Sequence, residues 1–166
     1  MGGNKMKGES GRRDQKALAL WAADCAEHVL LYFTKECPGD ERPRKAIEAG
    51  RAWVHGDITF SEVRATALAA HAAARNAPDN SAARFAARAA GHAAATAHVT
   101  QHAFGAPYYA LKAVSTNPAS ADIKIVKERD WQSKHLHKNL RPRWQDWRSR
   151  RLPKRLRPLM KKAAGL

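Results

Sequence analysis

The stretch that decides the fold runs from Ala65 to Ala103 and reads ATALAAHAAARNAPDNSAARFAARAAGHAAATAHVTQHA. It contains 19 alanines in 39 residues. Alanine has the highest intrinsic helix propensity, and the Pro-Asp-Asn-Ser sequence at residues 78–81 interrupts the run with turn-forming residues. The stretch therefore predicts a helix that ends near Ala77, a second helix from about Ser81 to Ala103, and an antiparallel hairpin between them.

Apolar residues recur at helical spacing on both sides of this hairpin. Before the hairpin they predict one helix from about Gln15 to Lys35 and another that starts near Pro43. After the hairpin they predict a short helix that follows Pro107 and a longer helix from about Ala121 to His135. The predicted fold class is all-α. We expect a single compact bundle of about five to six alanine-rich helices, followed by a basic C-terminal helical arm.

Positive charge is concentrated near the end of the chain. The formal charge of +15 divides into +3 over residues 1–16, +1 over residues 17–118 and +11 over residues 119–166. This division predicts a flexible basic N-terminal tail, a nearly neutral helical core domain, and a basic C-terminal helix and arm, with those bounds. Because the predicted helices of the core are periodic and capped, we expect the core to fold by itself.

The composition excludes several classes of protein. The sequence has no run of about 18 apolar residues that would span a membrane, and residues 1–13 lack the apolar segment of a secretory signal. Cys25 and Cys37 do not form the pattern of a disulfide framework. We therefore expect a cytoplasmic protein.

The arm contains an internal repeat with a period of 16 residues. Residues 130–142 and 146–158 are identical at eight of 13 aligned positions, and both copies begin with Asp-Trp. Such a repeat indicates one packing or binding unit used twice, or a tandem duplication of the end segment.

Arginine, lysine and tryptophan alternate along the arm, as in segments that neutralise phosphates and stack on bases. The same composition also fits a membrane surface, an acidic protein, or a solvated helix whose tryptophans pack onto the core. With three tryptophans between residues 131 and 147, we expect at least one to dock. The predicted polyanion-binding residues are Arg141, Arg143, Trp144, Trp147, Arg148, Arg150, Arg151, Lys154, Arg155 and Arg157.

The histidines of the hairpin raise the question of a metal site. His98 and His102 are four residues apart on the helix predicted from about Ser81 to Ala103, so both rings could meet one ion. No glutamate or cysteine accompanies this pair, so we predict no metal and no cofactor, with His98 and His102 as ligands in the alternative. We predict that His71 and His92 instead fill the alanine core as buried, hydrogen-bonded side chains.

No catalytic residues are predicted. Cys25 and His28 have the spacing of a nucleophile and its base, but their helix face also carries Leu18, Trp21 and Val29, which is typical of a packed core. The sequence contains neither a glycine-rich phosphate loop nor a Gly-x-Ser-x-Gly elbow.

Five short strings follow one another in a fixed order between residues 17 and 114. They are Arg42-Pro-Arg44-Lys-Ala-Ile47, Arg51-Ala-Trp53, His71-Ala-Ala-Ala-Arg75, Ala90-Gly-His92-Ala-Ala-Ala-Thr-Ala-His98-Val99, and Tyr109-Ala-Leu-Lys-Ala113. Their order and spacing resemble the Imm-five-like immunity protein family of bacterial polymorphic toxin systems. The resemblance implies a helical, non-catalytic protein that binds and neutralises a cognate toxin.

Arginine side chains commonly anchor protein interfaces, so the exposed arginines are the predicted contacts with this toxin. The predicted partner-binding residues are Arg42, Arg44, Arg75, Arg88 and His98. The alternative for an arginine is an internal ion pair, which we favour for Arg51. The alternative function is that of a nucleic-acid-associated helical protein that binds phosphates through its basic arm.

Overall fold

Helices account for most of the chain that the structure, a computed structural model, describes. The described residues are 3–154 and 157, with side chains from residue 8 onward. They form seven α-helices, α1 (Gly3–Glu36), α2 (Arg42–His55), α3 (Phe60–Asn76), α4 (Ala82–Ala95), α5 (Gly105–Val114), α6 (Ala121–His135) and α7 (Arg141–Arg151), with 3-10 helices at Thr100–Phe104, Pro118–Ser120 and Lys138–Leu140. The predicted all-α bundle is confirmed, with slightly more helices than predicted.

Helix α4 lies at the centre of the bundle and packs against α1, α2, α3 and α5. Ten of its 14 residues are buried, and nine of these are alanine or glycine. Small side chains allow close approach between helices, as where Gly50 of α2 lies over the backbone of Ala94. Larger anchors such as Phe33 and Leu111 fill the remaining space.

Capping interactions fix the hairpin of α3 and α4. The Thr59 hydroxyl accepts a hydrogen bond from the backbone amide of Glu62, and the Glu62 carboxylate accepts one from the backbone amide of Thr59, which forms a capping box. At the turn, the Ser81 hydroxyl accepts a bond from the Arg84 amide. The Arg84 guanidinium then donates to the Ala77 carbonyl at 2.8 Å and holds the two helix ends together.

Helix α4 ends at Ala95 rather than at the predicted Ala103. The hydroxyl of the buried Thr96 donates to the His92 carbonyl at 3.1 Å. The backbone amides of residues 96–98 donate to carbonyls three residues back, instead of four as in an α-helix. The carbonyls of Thr96 and Ala97 accept bonds from the Gln15 amide of α1 at 2.9 and 3.1 Å. These long-range bonds replace helical ones, so alanine propensity alone overextends the helix.

Helix α1 begins at Gly3, well before the predicted start at Gln15. The segment 3–14 has no proline to interrupt it. None of the helices in the described part of the chain is long and apolar enough to cross a membrane. Cys25 is buried, Cys37 is half-buried, and both are free thiols.

The arm packs onto the bundle through Trp144, whose side chain is 1% exposed. Its ring centroid lies 5.6 Å from that of Trp21 in α1 and 5.9 Å from that of Phe104. Helix α6 is joined to the same region, because the Trp21 indole donates to the Gln132 carbonyl at 2.9 Å. The expectation that at least one tryptophan of the arm docks is confirmed.

The 16-residue repeat has a structural counterpart. Leu136 and Leu152 occupy equivalent repeat positions, each follows the end of its helix, and each is 2% exposed. The arginines at equivalent repeat positions make the same hydrogen bond to the carbonyl of that leucine. Arg141 donates to the Leu136 carbonyl at 3.1 Å, and Arg157 donates to the Leu152 carbonyl at 3.0 Å. The repeat is therefore a packing and helix-ending unit used twice.

Candidate functional site

Four histidines form a continuous row across α3, α4 and the segment after α4. The ring centroids are 5.2 Å apart for His71 and His92, 5.4 Å for His92 and His102, and 5.3 Å for His98 and His102. His98 lies in the turn after α4 and His102 in the following 3-10 helix, not on one α-helix as predicted. All four side chains are half-buried.

Two glycines provide the space for this row. A Cβ atom on Gly91 would lie 2.6 Å from the His71 ring, and one on Gly105 would lie 2.5 Å from the His92 ring. Neither approach is tolerated without movement of the ring. Gly91 lies inside α4, where alanine would favour the helix by about 1 kcal/mol. The position of the His71 ring explains why glycine occupies this site.

Burial keeps the central histidines neutral at physiological pH. Burial, followed by the charges of Arg88, His102 and Arg75, lowers the pKa of His71 from 6.5 to about 4. Burial, followed by the neighbouring histidines and Arg88, lowers the pKa of His92 to about 3. Burial also lowers the pKa values of His98 and His102.

The hydrogen bonding of the row differs from the expectation. The Nδ1 atoms of His71, His92 and His98 are buried without a hydrogen-bond partner among the described residues. The prediction of hydrogen-bonded side chains is therefore wrong for the Nδ1 atoms of His71 and His92, and both side chains are half-buried rather than fully buried. Within the same described residues, no group of three or more potential ligands is placed to hold a metal ion. The alternative pair His98 and His102 thus gains no third ligand.

Three arginines flank the histidine row: Arg64 and Arg75 on α3, and Arg88 on α4. Each arginine lies close enough to a histidine for its charge to lower the pKa of that ring. Arg75 and Arg88 lower the pKa of His71, and Arg64 lowers the pKa of His98. No acidic partner pairs with any of the three among the described residues. Their guanidinium groups are available to an external acceptor.

Exposed apolar side chains complete this surface. Phe60, Leu68 and Val99 are 49%, 57% and 44% exposed, and the Phe60 ring packs edge-on against that of His98 at 5.8 Å. Along α3 the surface residues are three or four positions apart, so they lie on one side of the helix. We call this surface the α3 face, formed by Phe60, Arg64, Leu68, His71, Arg75, Arg88, His92, His98, Val99 and His102.

Part of the α3 face was not predicted from the sequence. Phe60 is 49% exposed, whereas the buried residues of α3 are Val63, Ala67, Ala70, Ala73 and Ala74. Arg64 was not among the predicted partner-binding residues. The four-residue spacing of Phe60, Arg64 and Leu68, offset by one position from the alanine stripe, is the signal that identifies them.

The remaining arginines of the core are paired. Arg42 pairs with Asp40 at 2.6 Å, and Arg44 pairs with Glu48 at 2.6 Å and with Glu41. The internal pairing predicted for Arg51 is confirmed, since its guanidinium lies 2.7 Å from carboxylates of both Asp24 and Glu27 in α1.

A second surface lies on α7, where a groove of about 360 Å³ is lined by Gln101, Phe104, Arg143, Asp146, Trp147, Arg150 and Arg151. We call it the α7 groove. It contains four of the predicted polyanion-binding residues. Trp144 is buried in the core, so no face of it is open to a ligand.

The other predicted polyanion-binding residues that the structure describes do not line this groove. Arg141 and Arg157 donate to backbone carbonyls, Arg148 is half-buried, Lys154 is exposed, and Arg155 lies outside the described residues. Burial, followed by the charge of Arg129, lowers the pKa of Arg148.

Fold and surface together define an all-α protein that presents neutral imidazoles, exposed apolar side chains and guanidiniums without an acidic partner in the described part of the chain, all on one face. A family model, described as Imm-5 like putative immunity protein, matches residues 9–139. The match covers more than half of the chain, which therefore belongs to this family. No curated protein and no solved structure matches the chain. The matched residues include the whole α3 face, whereas α7 lies beyond them.

Proposed function

We propose that this chain is an immunity protein that binds a cognate toxin domain stoichiometrically and blocks its action without a catalytic step. The observation that carries the proposal is membership of an immunity protein family over residues 9–139. A bundle of close-packed helices also suits this role, because a preformed surface binds without a large cost of ordering.

We assign the α3 face as the surface that contacts the toxin. Arginine and aromatic side chains supply most of the energy in typical interfaces, and this face presents three unpaired arginines beside Phe60. Of the predicted partner-binding residues, Arg75, Arg88 and His98 belong to it. Arg42 and Arg44 are held in local ion pairs, and their role in binding stays a prediction.

The charge of the α3 face indicates the chemistry of the toxin surface. The charges that act on the histidine row come from arginines and from other histidines. A complementary partner surface carries carboxylates, which arginine can bind through two parallel hydrogen bonds. We expect apolar side chains between these carboxylates, opposite Phe60, Leu68 and Val99.

Co-expression with the toxin domain encoded by the neighbouring gene tests the proposal. The unchanged protein should restore growth and co-purify with the domain in a one-to-one complex. The double variant Arg75→Glu/Arg88→Glu should lose both properties. Lys124→Glu/Lys127→Glu makes the same charge change on exposed positions of α6 and should retain them.

The outcomes distinguish an error in the proposed function from an error in the proposed binding surface. If the unchanged protein neither restores growth nor binds the toxin domain, the proposed function is wrong. If it does both and the α3-face variant does too, with the helical circular-dichroism signal of both variants intact, only the assignment of the surface is wrong.

A further inference from the structure

The α7 groove has a rigid aromatic floor. The Trp147 ring lies nearly parallel to that of Trp144, with centroids 5.6 Å apart, and 5.8 Å from the ring of Phe104. Trp144 and Phe104 are buried, whereas Trp147 is half-buried and lines the groove. The indole that faces the groove is therefore supported from below by the core.

Cationic side chains surround this floor. Arg143, Arg150 and Arg151 line the groove. Arg143 pairs with Asp14 at 3.4 Å, Arg150 pairs with Asp146, and Arg151 has no acidic partner among the described residues. Both pairs are solvent-exposed, so each contributes little energy, and a phosphate can compete for the arginines.

We propose that the α7 groove binds single-stranded nucleic acid, with one base stacked on Trp147 and the adjoining phosphates bound by Arg143 and Arg151. Stacking on a supported aromatic ring and phosphate contacts with arginine are the two interactions by which single strands are held. The groove, at about 360 Å³, has the size of a small-ligand site.

The features of α7 favour this ligand over others. A duplex offers no free base face to Trp147 except at its ends. A lipid bilayer requires exposed apolar side chains, and the exposed large apolar residues of the described chain are all outside α7. Five of the seven residues that line the groove follow the residues matched by the immunity family, and these five include Arg143, Trp147 and Arg151, so this inference does not depend on the proposed function.

The test uses the full chain and fluorescence anisotropy with a labelled oligothymidine of about 12 nucleotides, within the range of single-strand sites. An abasic strand of the same length carries the same phosphates but no bases. We expect the abasic strand to bind about tenfold more weakly, because stacking is lost. This comparison requires no variant protein.

Variants then locate the site. Trp147→Leu should remove most of the difference between the two strands, and Trp147→Phe should preserve part of it. Arg151→Glu should weaken binding of both strands. Lys134→Glu, an equal charge change at an exposed position of α6, should weaken binding several-fold less.

Three results would overturn the inference. The first is equal binding of the abasic and base-bearing strands by the unchanged protein. The second is a preference between strands that Trp147→Leu leaves intact. The third is tighter binding of duplex DNA, or of phosphatidylserine vesicles, than of oligothymidine in the same salt.

Discussion

At the scale of single residues, Gly91 is the position where a small change should have an unusual effect. In most helix interiors, replacing glycine with alanine stabilises the protein by about 1 kcal/mol. At Gly91 the new Cβ would lie 2.6 Å from the His71 ring, so we expect Gly91→Ala to lower the free energy of unfolding instead. Urea denaturation monitored by circular dichroism measures the change.

Gly8 provides the matched control, because it also lies in a helix but has no atom within 4 Å of an added Cβ. Gly8→Ala should be neutral or stabilising. His71→Ala should relieve the cost of Gly91→Ala when the two are combined. A stabilising Gly91→Ala would show that the His71 ring is not held in the position described.

The neutral histidines make stability depend on pH in a defined window. In the unfolded chain His71 and His92 bind protons near pH 6.5, but in the folded protein their pKa values are about 4 and about 3. Between these values the unfolded state binds more protons, so the free energy of unfolding falls as the pH falls below about 6.5 and is constant above it for these groups.

Urea denaturation at about pH 7.5 and about pH 5 checks this dependence. Arginine partners lower the pKa values of Glu27 and Asp40 below their ordinary range, so these two carboxylates stay ionised in this window. The double variant His71→Gln/His92→Gln should show a smaller difference between the two pH values. An unchanged difference would contradict the assignment to these histidines.

At the scale of elements, α7 packs on the bundle through the buried side chain of Trp144. Loss of a large buried aromatic side chain costs about 3–5 kcal/mol, so we expect Trp144→Ala to destabilise the whole protein by about that amount. Trp144→Phe should cost less, because it keeps a ring against Trp21 and Phe104. The indole N–H of Trp144, moreover, has no hydrogen-bond partner among the described residues.

The same measurement on a chain that ends at Asn117 tests the predicted independence of residues 17–118. This shorter chain lacks Trp144, Leu136 and Leu152, which are buried in the same core. We expect it to unfold at lower urea concentration than the full chain. Equal stability would support the sequence-based division and contradict the importance of α7.

The helices were predictable where local chemistry decides them, and not where distant contacts do. Alanine propensity and the capping box of Thr59 fix α3, and the turn at residues 78–81 separates it from α4. The end of α4 depends on Gln15, a side chain that is distant in sequence. The α3 face was predicted only in part for a similar reason. Whether an arginine has an acidic partner depends on tertiary contacts, which the sequence does not show.

At the scale of the whole molecule, the two surfaces are built from largely different parts of the chain. The α3 face lies within the residues matched by the immunity family, whereas five of the seven residues that line the α7 groove follow that match. The core of residues 17–118 has a charge of only +1, so we expect any attraction of a polyanion to come mainly from the charge of +11 over residues 119–166. This arrangement suits a protein with two separable binding activities.

We expect a double dissociation between these activities. Arg75→Glu/Arg88→Glu should abolish toxin neutralisation in co-expression and leave oligothymidine affinity within about twofold, because these arginines are not part of the groove. Trp147→Leu/Arg151→Glu should do the reverse. Growth rescue and anisotropy, measured on the same four proteins including the unchanged chain and Lys124→Glu/Lys127→Glu, provide the comparison. If each variant impaired both activities while remaining folded, the two surfaces would have to act as one site, and the separation argued from the chain would be wrong.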